Sequence, residues 1–62
     1  MTVDKAKLLK RGDFIAYRNL KYKVLNIKEL RNAHTNEVYI DIKCSRKNEI
    51  LWLSNEFAEI YY

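Results

Sequence analysis

From Glu37 to Cys44 apolar and polar side chains alternate without a break, Val38, Ile40, Ile42 and Cys44 on one register and Tyr39, Asp41 and Lys43 on the other. A strict two-residue period marks a strand with one face on a core and the other in water, so the pattern predicts a strand with its isoleucines inward. Two shorter β-prone runs, Phe14-Ile15-Ala16-Tyr17 and Tyr22-Lys23-Val24, flank Arg18-Asn19-Leu20-Lys21. Asparagine tolerates the left-handed backbone of a tight turn, and the two runs predict a hairpin. Past Val24 the parity switches, with Leu25 and Ile27 on the opposite register from Tyr22 and Val24, as a β-bulge or a strong bend requires. After the charged turn Ser45-Arg46-Lys47-Asn48 comes the apolar run Ile50-Leu51-Trp52-Leu53. A last β-prone stretch covers Ala58 to Tyr61, with Tyr62 behind it, which brings the count to five short strands.

The segments between these runs are punctuation. Thr2 is an N-cap candidate, Asp4 an acid in the first turn, and Val3, Ala6 and Leu9 recur at helical spacing, which predicts one or two helical turns at the start. Gly12, the single glycine, is where the backbone takes a positive φ most freely, so the chain should turn there before the first strand. Arg31 to Asn36 reads as a polar loop, and Ser54-Asn55-Glu56-Phe57 as a short 3-10 turn before the last strand. With no proline, no repeat and no low-complexity stretch there is no linker, and 62 residues leave room for one core. The expectation is a single domain over 1–62, all-β, a small five-stranded antiparallel barrel.

That arrangement resembles the SH3-like small barrels, the broad group holding Tudor, KOW and Sso7d-type folds. The resemblance spans Leu9 to Ile60 and rests on Gly12-Asp13-Phe14-Ile15-Ala16-Tyr17, on Tyr22-Lys23-Val24-Leu25, and on Leu51-Trp52-Leu53 followed by Phe57 and Ile60. The chain lacks the adjacent aromatic pair and acidic loop of a proline-peptide-binding SH3 domain and the Gly-rich hairpin of KOW motifs. The resemblance therefore implies a fold and no particular ligand. An OB-like barrel is the alternative with the same strand count, although so short a chain leaves little for its loops.

Charge narrows the partners. Twelve Lys and Arg against eight Asp and Glu give a net charge of +4 and a pI near 9.3, which suits nucleic acid, anionic lipid or an acidic protein surface. No apolar run approaches the roughly 20 residues a membrane span needs, and Met1-Thr2-Val3-Asp4-Lys5 opens no signal peptide, so the expected setting is the cytoplasm, without a membrane partner. Cys44, the one cysteine, has no second thiol to pair with, and its inward register makes it a small core hydrophobe.

Catalytic chemistry finds few candidates. His34 is the one histidine, in a polar loop ten residues before Cys44, and a zinc site needs about four ligands. A hydrolase needs a nucleophile, a base and an orienter, which this set does not assemble. Glu56 and Glu59 lie near a turn and Asp13, Asp41 and Glu49 are scattered among cations, as solvated surface charges are. The expectation is a non-enzymatic domain with no cofactor and no metal.

The cations are more informative. Arg18, Lys21 and Lys23 cluster at the first hairpin and Lys43, Arg46 and Lys47 at the second turn, and outward positions on neighbouring strands should merge them into one stripe suited to a phosphate backbone. Tyr39 is expected outward among them. In Ile50-Leu51-Trp52-Leu53 either Trp52 or the pair Leu51 and Leu53 should leave the core, unless the strand bends enough to bury both. The sequence thus supports a largely sequence-independent DNA- or RNA-binding face, with the cations on phosphates and Tyr39 and Trp52 stacking or wedging. Its rival is a protein-protein interaction module, an adaptor or inhibitor that uses an open strand edge or an apolar patch, as a homodimer or with another protein.

Overall fold

Thr2 opens the chain as a helix cap: its side-chain hydroxyl accepts the Lys5 backbone N–H at 3.3 Å, and α1 (Val3–Ala6) follows for a single turn. The computed structural model describes residues 1–61, and Tyr62, which the sequence puts behind the last strand, lies outside them. Short as it is, α1 buries Ala6 and packs on the third strand, while Lys7 just beyond it pairs with Glu29 at 3.0 Å.

Five strands follow: β1 (Phe14–Tyr17), β2 (Leu20–Arg31), β3 (Val38–Arg46), β4 (Glu49–Ser54) and β5 (Glu59–Ile60). They form one antiparallel sheet in the order β4-β3-β2-β1-β5. The protein is mostly β, as the periodicity requires. Among the described residues no helix is long and apolar enough to cross a membrane.

Turn chemistry sets the register. Arg18 and Asn19 both take positive φ, 52° and 63°, so the first hairpin closes on two residues rather than the four expected, with Leu20 already paired to Tyr17. Both central residues left-handed is the combination whose twist matches that of flanking strands. Gly12 takes φ 99°; its N–H donates to the Val24 carbonyl at 2.9 Å, and the Val24 N–H donates to the Asp13 carbonyl at 2.8 Å, which lays the Gly12 turn alongside β2. The second hairpin turns on Lys47 and Asn48, with Lys47 at φ 56°, and Arg46 belongs to β3. The turn before β5 carries one i→i+3 bond, Phe57 N–H to Ser54 carbonyl at 3.0 Å, so it is a single hydrogen-bonded turn and not a 3-10 segment. The last strand is shorter than the expected Ala58 to Tyr61, because Ala58 is drawn into the core and only Glu59 and Ile60 pair with β1.

The parity switch in β2 is a bulge. Val24 faces Cys44 and Asn26 faces Lys43, leaving Leu25 as the extra residue. Residues Leu20 to Lys23 pair with β1 and Lys23 to Arg31 with β3, so β2 serves both halves of the sheet and bends between them. Ile15, Tyr22, Val24, Ile40, Ile42, Cys44 and Leu53 gather on the inner side, with Ala6 and Ala58 closing the core.

One polar residue is buried with them. At Asn55 the chain leaves β4, yet its backbone N–H donates to the Ile40 carbonyl at 2.8 Å and its side-chain Oδ1 accepts the Ile40 N–H at 3.0 Å. A side chain thus extends the β3 ladder by one rung beyond the last paired residues, Asp41 and Ser54. The remaining amide group, Nδ2, donates to the Met1 carbonyl at 2.9 Å and ties the first residues to the sheet.

Candidate functional site

Cross-strand partners share a face, so the register sorts the candidate residues. The outward side carries Phe14 and Ala16 on β1, Lys21, Lys23, Asn26 and Lys28 on β2, Tyr39, Asp41, Lys43 and Ser45 on β3, and Ile50, Trp52 and Ser54 on β4. Lys43 lies directly opposite Trp52 on one side and Asn26 on the other. Lys23 and Ser45 are partners in the next row, with Ile50 beyond Ser45.

Lys21, Lys23, Lys43, Tyr39 and Trp52 therefore share one wall. Trp52 is 49% exposed and Ile50 61%, while Leu53 is buried and Leu51 half-buried on the inner side. Of the two possibilities for β4, the outward patch is Trp52 with Ile50, and the Leu51 and Leu53 pair packs inward.

The other three cations do not join this wall. Arg18 sits over the Tyr17 ring, 5.2 Å from its centroid, and Tyr17 shares the inner face with Ile15. Arg46 has the parity of Cys44 and faces Glu49 across the hairpin, and Lys47 occupies the turn itself. The single stripe of six cations is thus divided, because a two-residue hairpin puts Arg46 on the core register and a left-handed turn swings Arg18 to the inner side. Acids share the outward wall as well: Asp41 faces Lys28, and Glu59 faces Ala16.

Two features of this wall are not visible in the sequence pattern. Arg11, an apparent turn residue, borders a depression of about 550 Å³ together with Leu25, Asn26, Lys43 and Trp52. The Gly12 turn carries Arg11 alongside the β2 bulge, and the parity switch at Leu25 is the sequence signal that could have placed a hollow there. Across the sheet, the Lys21 ammonium lies 4.1 Å from the Phe14 ring centroid and 4.9 Å from that of Tyr61, with the two rings 6.4 Å apart. Such cation–π contacts hold a flexible lysine in place on an exposed surface.

Elsewhere the chemistry is sparse. His34 is exposed in the 32–37 loop, its backbone N–H donating to Asn32 Oδ1 at 2.8 Å. Among the described residues no group of three His, Cys, Asp or Glu side chains could hold a metal ion. Cys44 is fully buried, its thiol aimed at the Leu51 carbonyl at 3.7 Å. Burial, and secondarily the Glu49 charge, pushes this thiol from its ordinary 9.0 up to about 11.

A thiol reagent at about pH 8 should accordingly modify Cys44 far more slowly in the native protein than in urea. Because the unfolded thiol gives up its proton first, the stability tied to Cys44 is intact below pH 9.0 and falls as pH rises toward about 11. Unfolding curves of wild type and Cys44→Ala across that window should differ by this component, and parallel curves would show that the thiol is not held protonated by the fold.

No protein-family model, curated protein or solved structure matches this chain. Its function therefore has to be argued from the wall itself.

Proposed function

We propose that this protein binds nucleic acid without catalysing a reaction, laying the outward wall of β2, β3 and β4 on a phosphate backbone. The observation that carries the reading is the direct cross-strand pairing of Lys43 with the half-exposed Trp52, with Lys21 and Lys23 on the same side. Ammonium groups neutralise phosphates, and a flat exposed ring beside them stacks on a base or wedges between base pairs. Lysines are point charges without the fork that reads a base edge in two places, and among the described residues the one helix is a single turn packed on β3, so the binding is largely independent of sequence. The net charge of +4 adds long-range attraction.

An SH3-like small barrel is part of the same proposal. It is supported by the meander from β1 to β4, the bulged β2 shared between both halves, and the return of β5 to β1 after a tight turn. A cytoplasmic setting fits a lone buried thiol.

Binding of labelled oligonucleotides at several salt concentrations tests the reading. With about four phosphate contacts, affinity should fall roughly a hundredfold between about 50 and 200 mM salt. Replacing Lys21, Lys23 and Lys43 together by Gln should lower the log–log salt slope by about three, whereas replacing Arg18, Arg46 and Lys47 removes the same charge with a smaller effect. Equal effects of the two triple variants, or no change in either, would remove the proposal.

A second reading draws on β4 as an edge of the sheet. Its six residues hold no proline and one charge, Glu49, and Ile50 and Trp52 stand exposed beside its unpaired backbone. Such an edge accepts a strand from another protein or from a second copy. A salt-insensitive dimer that ignores oligonucleotides is the outcome that favours it.

A further inference from the structure

We infer that the depression beside Trp52 receives one unpaired base, so that the wall takes single-stranded nucleic acid in preference to duplex; the inference rests on the nucleic-acid reading above and deepens it. An unpaired nucleotide asks for three things at once: a flat apolar surface for the base, polar groups for its edge, and cations for its phosphates. The depression supplies them side by side. Trp52 and Leu25 are its apolar surfaces, Asn26 is its amide, and Arg11 and Lys43 are its cations.

Asn26 is oriented for the task. Its Oδ1 accepts the Ile27 N–H at 2.9 Å, which fixes the amide plane and leaves Nδ2 free to donate to a base carbonyl or ring nitrogen. The hollow exists because Leu25 is the extra residue of the bulge, and the bulge opens the ladder between Val24 and Asn26. Asp41 faces Lys28 one row away, and among the described residues neither Arg11 nor Lys43 forms a salt bridge.

A duplex cannot use the hollow. Its bases are stacked and paired inside, and extruding one costs a few kcal/mol, whereas a single strand turns a base outward at little expense. A second aromatic station supports a continued track. Phe14, on β1, stands three strands away from Trp52, on the order of 14 Å across the sheet at the usual strand spacing, with Lys21 held over its ring and that of Tyr61 just past β5. Lys23 lies on β2, one of the two strands between, and is paired to Phe14. A single strand of about four nucleotides, the low end for a small barrel face, would span both stations.

Trp52 is the single tryptophan, so its emission reports on this hollow alone. Wild-type protein is titrated with oligothymidylate of about twelve nucleotides and with a duplex of the same length, following oligonucleotide anisotropy and tryptophan emission together. The single strand should bind about tenfold more tightly than the duplex and quench the emission, and the duplex should leave it unchanged. Trp52→Leu, with its fold checked by circular dichroism, should lower single-strand affinity about tenfold without weakening duplex binding. Arg11→Ala, at an exposed position, should weaken the single strand in the same sense. Equal affinities, or single-strand binding without quenching, would overturn the inference and leave the nucleic-acid reading standing. Failure of both oligonucleotides to bind at about 50 mM salt would end both.

Discussion

Ile42→Ala should remove about half of the protein's folding stability. Ile42 has no exposed surface, and it faces Ile27 across β2 and Leu53 across β4, so its side chain joins three strands at the middle of the core. Truncating a buried isoleucine to alanine costs about 2–5 kcal/mol, the lost transfer energy plus the cavity left behind. A chain of this size has roughly 3–9 kcal/mol in total, at about 0.05–0.15 kcal/mol per residue. The loss is therefore a large fraction of the whole. Ile42→Val removes one methyl and should cost only about 0.5–1.5 kcal/mol, a shift readable in a urea titration. A wild-type midpoint in the alanine variant would mean that the inner register has been assigned to the wrong side.

Asn55→Ala should be nearly as damaging although it deletes no apolar surface. The Ile40 N–H loses its acceptor in a buried site, and the Met1 carbonyl loses its donor at the core margin. Each stranded group costs about 1–3 kcal/mol, because alanine offers no hydrogen-bonding partner in its place. Asn55→Asp separates the two functions, since it keeps the acceptor for Ile40 and removes the donor for Met1. The expected order in thermal unfolding is wild type, then Asp, then Ala. A tolerated alanine would mean that water reaches Ile40 and that this rung is dispensable.

Much of the sheet is written in local pattern. The alternation from Val38 to Cys44 places β3 and its faces, because a two-residue period has one structural solution when one face is buried. The switch at Leu25 marks the bulge for the same reason. Turn lengths are less legible. Arg18-Asn19-Leu20-Lys21 between two strands fits a loop of four or of two, and the choice depends on whether Arg18 and Asn19 bear a left-handed backbone, which the sheet's twist decides. That small difference moves Arg18 off the outward wall, and the two-residue turn at Lys47 and Asn48 does the same for Arg46. The role of Asn55 is hidden for another reason: a lone asparagine in a turn is ordinary, and only tertiary packing brings Ile40 beside it. Arg11 reaches the candidate site through a glycine turn that folds back along β2, a contact between segments that no local period encodes.

The return of β5 to β1 divides the sheet by how readily it opens. Every other strand pair joins neighbours in the chain, so each closes a short loop at small entropic cost. The β1–β5 pair must gather the two ends of the chain and is held by two residue pairs, Ile15 with Ile60 and Ala16 with Glu59. It should accordingly be among the last contacts to form and the first to open, and amide exchange at Ile60 is expected to outpace exchange at Ile42. The two aromatic groups differ in the same way: Trp52 stands on the meander, and Tyr61 follows the strand held by two residue pairs. A ligand that clamps the second group would staple that strand to β1.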